Sequence, residues 1–150
     1  MLHNSEQQLK EVMNAVGEGV VICNNQGKFI LFNQKAEEIM GESEADVPPE
    51  LWPEKYNLHH PDGRKLSKEE IPIMLALKGE LIENTEVLIK NSHTGIEKII
   101  LVSARPIRDE GDLIIAAVAN FRDITEVKKL EQLLHDVKEK YNELTIRKQK

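Results

Sequence analysis

The chain contains 150 residues and carries a net charge of −6 at pH 7; 40% of its residues are hydrophobic and 31% are charged. This length and composition suit one globular domain with an extension. The acidic charge argues against direct binding to nucleic-acid phosphates, and no apolar run approaches the ~20 residues of a membrane-spanning helix. A single cysteine, Cys23, excludes an internal disulfide. Because the N-terminus lacks a secretory signal, we expect a cytoplasmic location.

The first part of the chain predicts a helix, a hairpin and a second helix. Residues 1–17 predict a short amphipathic helix, because apolar residues recur there at helical spacing. These residues are Leu9, Val12, Met13 and Val16. Two apolar runs, 20–23 and 28–32, flank an Asn-Asn-Gln-Gly turn and predict a β-hairpin. Asn33, a good N-cap residue, begins a helix that extends to Met40.

The remainder of the domain predicts loops, a helix and three strands. Residues 42–70 are rich in proline and acidic residues and predict loops. A short helix begins at Pro72, where proline is tolerated, and ends before Gly79. The strands that follow are predicted over 86–90, 98–105 and 113–121. Two strands, then helices, then three strands indicate an antiparallel sheet and an α+β fold.

The last two predicted strands do not alternate apolar and polar residues. Residues 99–102 and 113–119 are apolar at consecutive positions, whereas an antiparallel sheet with one wet face would alternate. We therefore expect both faces of the sheet to be covered. The predicted helices in the middle of the chain cover one face, and the N-terminal helix or a partner subunit covers the other.

The C-terminal segment, residues 126–150, predicts a coiled-coil helix. Its apolar residues are spaced alternately three and four apart, which is the a/d pattern of a heptad repeat. This seam consists of Val127, Leu130, Leu134, Val137, Tyr141 and Leu144. The pattern favours pairing in a homodimer, to which the N-terminal helix can also contribute. The alternative is an amphipathic helix packed on its own domain.

Taken in order, these elements resemble the PAS domains of bacterial signalling proteins over residues 17–126. The resemblance rests on the hairpin and helix of 19–41, on the helix ending in Gly-Glu at 72–80, and on the sequence Phe-Arg-Asp-Ile-Thr-Glu at 121–126. It implies a five-stranded antiparallel sheet of order 2-1-5-4-3. The expected domains are then an N-terminal helix (1–17), a PAS domain (18–125) and a signalling helix (126–150).

The Asp-Ile-Thr sequence marks a predicted signal junction. Asp123 suits a helix N-cap, with Glu126 at the third helical position completing a capping box. The resemblance further implies that Asp123, Ile124 and Thr125 tie the last strand to the signalling helix. It also implies an output domain in the same chain, such as a histidine kinase; the ending is similar to the PAS region of some AAA+ transcriptional activators.

The resemblance implies a pocket between the sheet and the central helices. The candidate lining residues are Phe29, Leu31, Ile39, Met40, Trp52, Met74, Leu75, Leu77, Leu101, Ile115 and Val118. Which strand residues face the pocket stays open, because both strand faces are apolar. A small apolar ligand is compatible with this lining. By the same resemblance, a haem-binding member of the family would carry a histidine on the helix near 72–78, and a flavin-binding light sensor would carry its cysteine on a central helix. Haem and a flavin adduct are therefore not expected, because that helix has no histidine and Cys23 lies in the first strand. His59 and His60 lie in a loop and do not predict a metal site.

The pattern predicts a regulatory module and not an enzyme. There is no Gly-x-Ser-x-Gly motif, no phosphate-binding glycine loop and no metal-ligand spacing, so a hydrolase that uses the acidic loop is disfavoured. Two readings remain. In the first, the chain is a sensor or relay module that dimerises and signals through its C-terminal helix. In the second, it is a ligand-free dimerisation or protein-interaction module of a transcriptional regulator.

Overall fold

The computed structural model describes residues 7–8, 11–12, 15, 17–42, 47–91 and 93–149, with residues 147–149 described by backbone alone. The predicted N-terminal helix falls mostly outside these residues. Those described within it before residue 17 are helical, and the side chain of Val12 is exposed. Leu9, Met13 and Val16, which carry the rest of the predicted apolar face, lie outside the described residues.

The described chain forms an α+β domain followed by a long helix. The strands are β1 (Gly19–Asn24), β2 (Phe29–Phe32), β3 (Leu58–His59), β4 (Ile82–Lys90), β5 (Glu97–Arg108) and β6 (Ile114–Asp123). The helices are α1 (Gln34–Met40), α2 (Trp52–Lys55), α3 (Pro72–Leu77) and α4 (Thr125–Gln149), and short 3-10 helices span Pro49–Leu51 and Lys68–Glu70.

Within the described residues the sheet has six strands, in the order β2-β1-β6-β5-β4-β3, so the predicted count of five was wrong. The additional strand, β3, pairs Leu58 with Ile89 and His59 with Leu88 at the edge of the sheet. Because β3 has two residues, it is too short to show an alternating pattern, and the prediction placed it in a loop. Without β3, the remaining five strands have the predicted order.

Register divides the residues of the sheet into a core face and an outer face. On β5, Ile100, Val102 and Ala104 are buried against α1–α3, and the intervening Leu101 is half-buried on the other face. On the outer face, Ile22 pairs with Leu31 and with Val118. These three side chains are half-buried.

Asn33 connects α1 to the hairpin and confirms the predicted N-cap. Its side-chain oxygen accepts hydrogen bonds from the amides of Ala36 (2.8 Å) and Val20 (2.9 Å). Its side-chain nitrogen donates to the carbonyl of Glu18 at 3.0 Å. At the other end, Gly41 takes φ +75°, a left-handed conformation that glycine adopts without steric cost. These contacts hold α1 against the sheet and set the position of Met40.

Candidate ligand cavity and signal junction

An apolar cavity of about 70 Å³ lies between the core face of the sheet and the helices α1–α3. Its walls come from every layer of the domain, and none of the described residues that line it is charged. The lining residues are Val21, Phe29, Phe32, Met40, Trp52, Tyr56, Leu58, Ile71, Pro72, Ile73, Val87, Ile100, Val102, Ala119 and Phe121.

Four aromatic rings form one wall of the cavity. Phe29 stacks on Trp52, with ring centroids 4.6 Å apart and planes at 14°, and Phe32 stacks on Tyr56 at 6.1 Å. The indole nitrogen of Trp52 donates a hydrogen bond to the carbonyl of Val47 at 3.2 Å, and the residue is 2% exposed. The rings therefore form an apolar wall in which the indole N–H of Trp52 is already hydrogen-bonded.

Three of the predicted pocket residues line the cavity: Phe29, Met40 and Trp52. Ile39 and Met74 are buried in the core around it. Leu75 and Leu77, on α3, are half-buried.

The other four predicted pocket residues were wrongly assigned. Leu31, Leu101 and Val118 lie on the outer face of the sheet, as the register shows. Ile115 is 45% exposed, next to a register shift between β5 and β6. Because both strand faces are apolar, hydrophobicity alone could not choose between them.

Sequence reasoning missed several wall residues, among them Phe121 and Ala119. One signal pointed to Phe121, because the polar residues Asn120 and Arg122 flank it, and alternation then places its side chain on the dry face. Ala119, two residues earlier, follows on the same face. Tyr56 belongs to the stretch that was predicted to form loops, and the structure places it in the cavity wall.

Cys23 and the two consecutive histidines, His59 and His60, lie outside the cavity wall. Cys23 is fully buried, and burial raises the pKa of its thiol to about 11, so the reactive thiolate is disfavoured. The Nε2 atom of His60 lies 2.7 Å from a carboxylate oxygen of Glu70, and the Nδ1 atom of His59 lies 2.9 Å from the carbonyl of Asn57. Within the described part of the chain, no three His, Cys, Asp or Glu residues are grouped so that they could hold a metal ion.

The signal junction is a set of hydrogen bonds between β5 and the start of α4. The amide of Ile99 donates to the hydroxyl oxygen of Thr125 at 3.0 Å, and the amide of Ile124 donates to the carbonyl of Ile99 at 2.8 Å. The Thr125 hydroxyl donates in turn to the carboxylate of Asp123. One residue of β5 is therefore bonded to two successive residues at the junction.

The predicted capping box is absent at this junction. Because α4 begins at Thr125, Ile124 takes the N-cap position. The Asp123 carboxylate accepts from the amide of Thr125, two residues on, at 2.9 Å. Glu126 lies 3.5 Å from Lys129 in the next turn. Asp123 thus forms a local turn that fixes the angle at which the chain leaves β6.

Two lysines tie neighbouring elements to this region. Lys128 of α4 lies 2.8 Å from Glu86 of β4, and this hydrogen-bonded carboxylate raises the pKa of Lys128. Lys98 of β5 donates to the carbonyls of Glu38 (3.3 Å) and Ile39 (3.0 Å), at the C-terminal end of α1. The start of α4 is therefore attached to β4, and α1 is attached to the strand that holds the junction.

The seam residues of α4 are exposed in the single chain. Their exposed fractions are 51% for Val127, 65% for Leu130, 55% for Leu134, 56% for Val137, 69% for Tyr141 and 52% for Leu144. Such an apolar stripe on one face of a helix is typical of a surface that a second protein covers. Despite its length, α4 is too polar to cross a bilayer, and no other described helix meets the requirements for doing so.

The strand order, the central helices and the sheet-to-helix junction together define a PAS domain. The family model for the PAS domain matches residues 17–126, and the chain belongs to this family. The chain is similar to the sensor histidine kinase DcuS of Escherichia coli K12, with 27% identity over 128 residues, covering 85% of this chain and 21% of DcuS. It is also similar to the sensor protein CitS of Halalkalibacterium halodurans, with 31% identity over 133 residues, covering 88% of this chain and 22% of CitS. The chain thus spans about a fifth of the length of these relatives.

Solved structures show the same fold. A sensory box histidine kinase/response regulator from Burkholderia thailandensis aligns with a TM-score of 0.57 and 17% identity, over 91% of this chain and 98% of that one. The PAS domain of the fruit-fly ELK potassium channel aligns with a TM-score of 0.56 and 18% identity, over 79% and 96% of the two chains.

Proposed function

We propose that this chain is a cytoplasmic sensor or relay module that dimerises through α4 and passes a signal to an output domain such as a histidine kinase. The observation that carries the proposal is the exposed heptad seam of α4, which leaves the PAS domain directly from the junction. In this proposal the PAS module is not itself an enzyme, and any catalytic activity resides in the output domain. The kinase relatives support that choice of output.

The seam supports a dimer because its geometry suits a second helix. With 25 residues, α4 is about 37 Å long at 1.5 Å per residue. Its six seam residues keep the 3-4 spacing of a coiled coil, and each is at least half exposed. Isolated short helices are marginal in water, and helices in proteins gain most of their stability from packing of an apolar face. A second copy supplies the same stripe, so two α4 helices side by side would bury both.

The junction supports transmission because it joins the sheet to α4 without a flexible linker. Thr125 is both the first residue of α4 and the acceptor of the Ile99 amide. A shift of β5 relative to β6 would therefore move the base of the helix. Asp123→Ala removes the acceptor of the Thr125 amide and should lower the free energy of unfolding by about 1 kcal/mol. It should change signal output by more than this loss of stability explains.

The size of the cavity favours one alternative, a ligand-free dimerisation or protein-interaction module of a transcriptional regulator. The cavity has a volume of about 70 Å³, whereas pockets for drug-sized ligands occupy roughly 300–1,000 Å³. Without movement of a side chain, the cavity admits only a small apolar group. Haem and flavin remain unexpected in both readings.

Light scattering on the purified chain tests the dimer. We expect the mass of two chains for the wild type and of one chain for Leu134→Glu, because this change places a charge in the middle of the seam. Ile146→Glu is a matched control, since Ile146 is equally exposed (57%) but lies off the a/d positions. A wild-type monomer at high concentration, or equal effects of the two substitutions, would contradict the proposal.

A thermal-shift screen of small molecules separates the two readings. A ligand that binds the folded state alone must raise the melting temperature. If a broad set of apolar and amphipathic molecules gives no shift while the dimer persists, the ligand-free module is favoured.

A further inference from the structure

Met40 lies at the boundary between the apolar cavity and a surface cleft. It lines both the cavity and a cleft of about 240 Å³ at the end of α1, and its side chain is half-buried. Methionine is unbranched and rotates readily. A change of its rotamer would join the two spaces into one of roughly 300 Å³, the lower end of the range for ligand pockets.

The cleft differs from the cavity in its chemistry. Its lining includes the polar residues Asn57, Asn91 and Lys98 as well as the exposed Ile96. Lys98 is half-buried, and no ion pair joins it to any carboxylate in the described part of the chain. Two of its hydrogen bonds go to α1 carbonyls, and an ammonium group has three donors. The remaining donor suits an anion.

We propose that Met40 is a gate and that the joined space binds a small amphipathic carboxylate, whose aliphatic chain enters the cavity and whose carboxylate meets Lys98. This inference rests on the proposed sensor function and names the class of ligand. The class of ligand follows from the two linings that meet at Met40. The cavity is wholly apolar with an aromatic wall, and the cleft contains a lysine that lacks a carboxylate partner among the described residues.

The same lysine connects the cleft to the signal junction. Lys98 holds the last turn of α1, and the next residue, Ile99, carries both hydrogen bonds to the start of α4. A carboxylate that binds the remaining donor would draw the ammonium group of Lys98 away from the α1 carbonyls. The ligand would thereby loosen the end of α1 and alter the strand position that holds Thr125.

The test uses the fluorescence of Trp52, the one tryptophan in the sequence and part of the cavity wall. Hexanoate should change its emission saturably, and hexanol, which has no charge, should bind more weakly. Lys98→Met should weaken hexanoate binding about tenfold or more, as expected for loss of a charge-assisted hydrogen bond. Lys98→Arg should retain binding, and Met40→Ala should speed the change, because the gate is removed. Hydrogen exchange of the Ile99 amide should change when hexanoate binds.

Several outcomes would overturn the inference. One is unchanged Trp52 emission with hexanoate in both the wild type and Met40→Ala; another is equal hexanoate affinity in the wild type and Lys98→Met. Lys35→Met, a change of a half-buried lysine on α1, controls for charge alone, and thermal melting confirms that each variant is folded. Light scattering on the same samples distinguishes the two proposals: a dimer without hexanoate binding refutes only the gate.

Discussion

The hydroxyl of Thr125 makes two of the hydrogen bonds at the signal junction, and Thr125→Val removes it with almost no change in volume. The amide of Ile99 then loses its acceptor at a half-buried position, and Asp123 loses one donor. An unsatisfied donor of this kind costs about 1–3 kcal/mol. We expect the free energy of unfolding to fall by about 2 kcal/mol, which corresponds to a drop in melting temperature of roughly 6 °C for a domain of this size.

Urea denaturation and amide hydrogen exchange measure the two consequences of Thr125→Val. Denaturation gives the global loss, and exchange should show the largest local loss of protection at Ile99. Thr145→Val is a matched control on the same helix, because the Thr145 hydroxyl donates only to the carbonyl of Tyr141 one turn earlier. Its effect should stay within about 0.5 kcal/mol.

A double-mutant cycle tests whether the contacts act together. Asp123→Ala and Thr125→Val both remove the bond between these two side chains, so their combined loss should be smaller than the sum of the separate losses. If Thr125→Val costs no more than Thr145→Val and leaves the exchange of Ile99 unchanged, the junction does not hold the helix in this way.

Three further predictions concern the helix base, the buried thiol and the close packing of the first strand. Lys128→Met removes the ion pair to β4 and should increase hydrogen exchange in the first turn of α4. Lys129→Met is the control and should leave this exchange unchanged, because the ion pair of Lys129 stays within α4. Equal exchange in the two variants would refute the prediction. Burial raises the pKa of the Cys23 thiol to about 11, so the unfolded chain loses the thiol proton at a lower pH than the folded chain does. The free energy of unfolding should therefore fall as the pH rises from about 9 to 11. Denaturation of the wild type and of Cys23→Ala across this pH range measures the fall, and parallel profiles for the two proteins would contradict the prediction. Gly19→Ala should lower the free energy of unfolding by about 1–3 kcal/mol, because a Cβ atom there would lie 2.5 Å from the ring of Phe121; an unchanged denaturation midpoint would show that the ring moves aside.

The local elements followed from the sequence because their causes are local. Asn33 accepts the amide of Ala36, as the N-cap pattern predicts. The heptad spacing likewise predicted the helix that the structure shows as α4. The strand β3 was not predicted, because its two residues are too few to show the alternation of apolar and polar side chains that marks a strand.

The sequence by itself determined the fold class, the order of the elements and the apolar stripe on the last helix, because each is encoded in spacing along the chain. Only the tertiary structure decided which strand face meets the helices, since Leu101 and Val102 are equally apolar and register alone separates them. It also decided the contacts between distant residues, such as Thr125 with Ile99 and Lys98 with the end of α1. No local pattern encodes these contacts, because they form only when the sheet has brought the segments together.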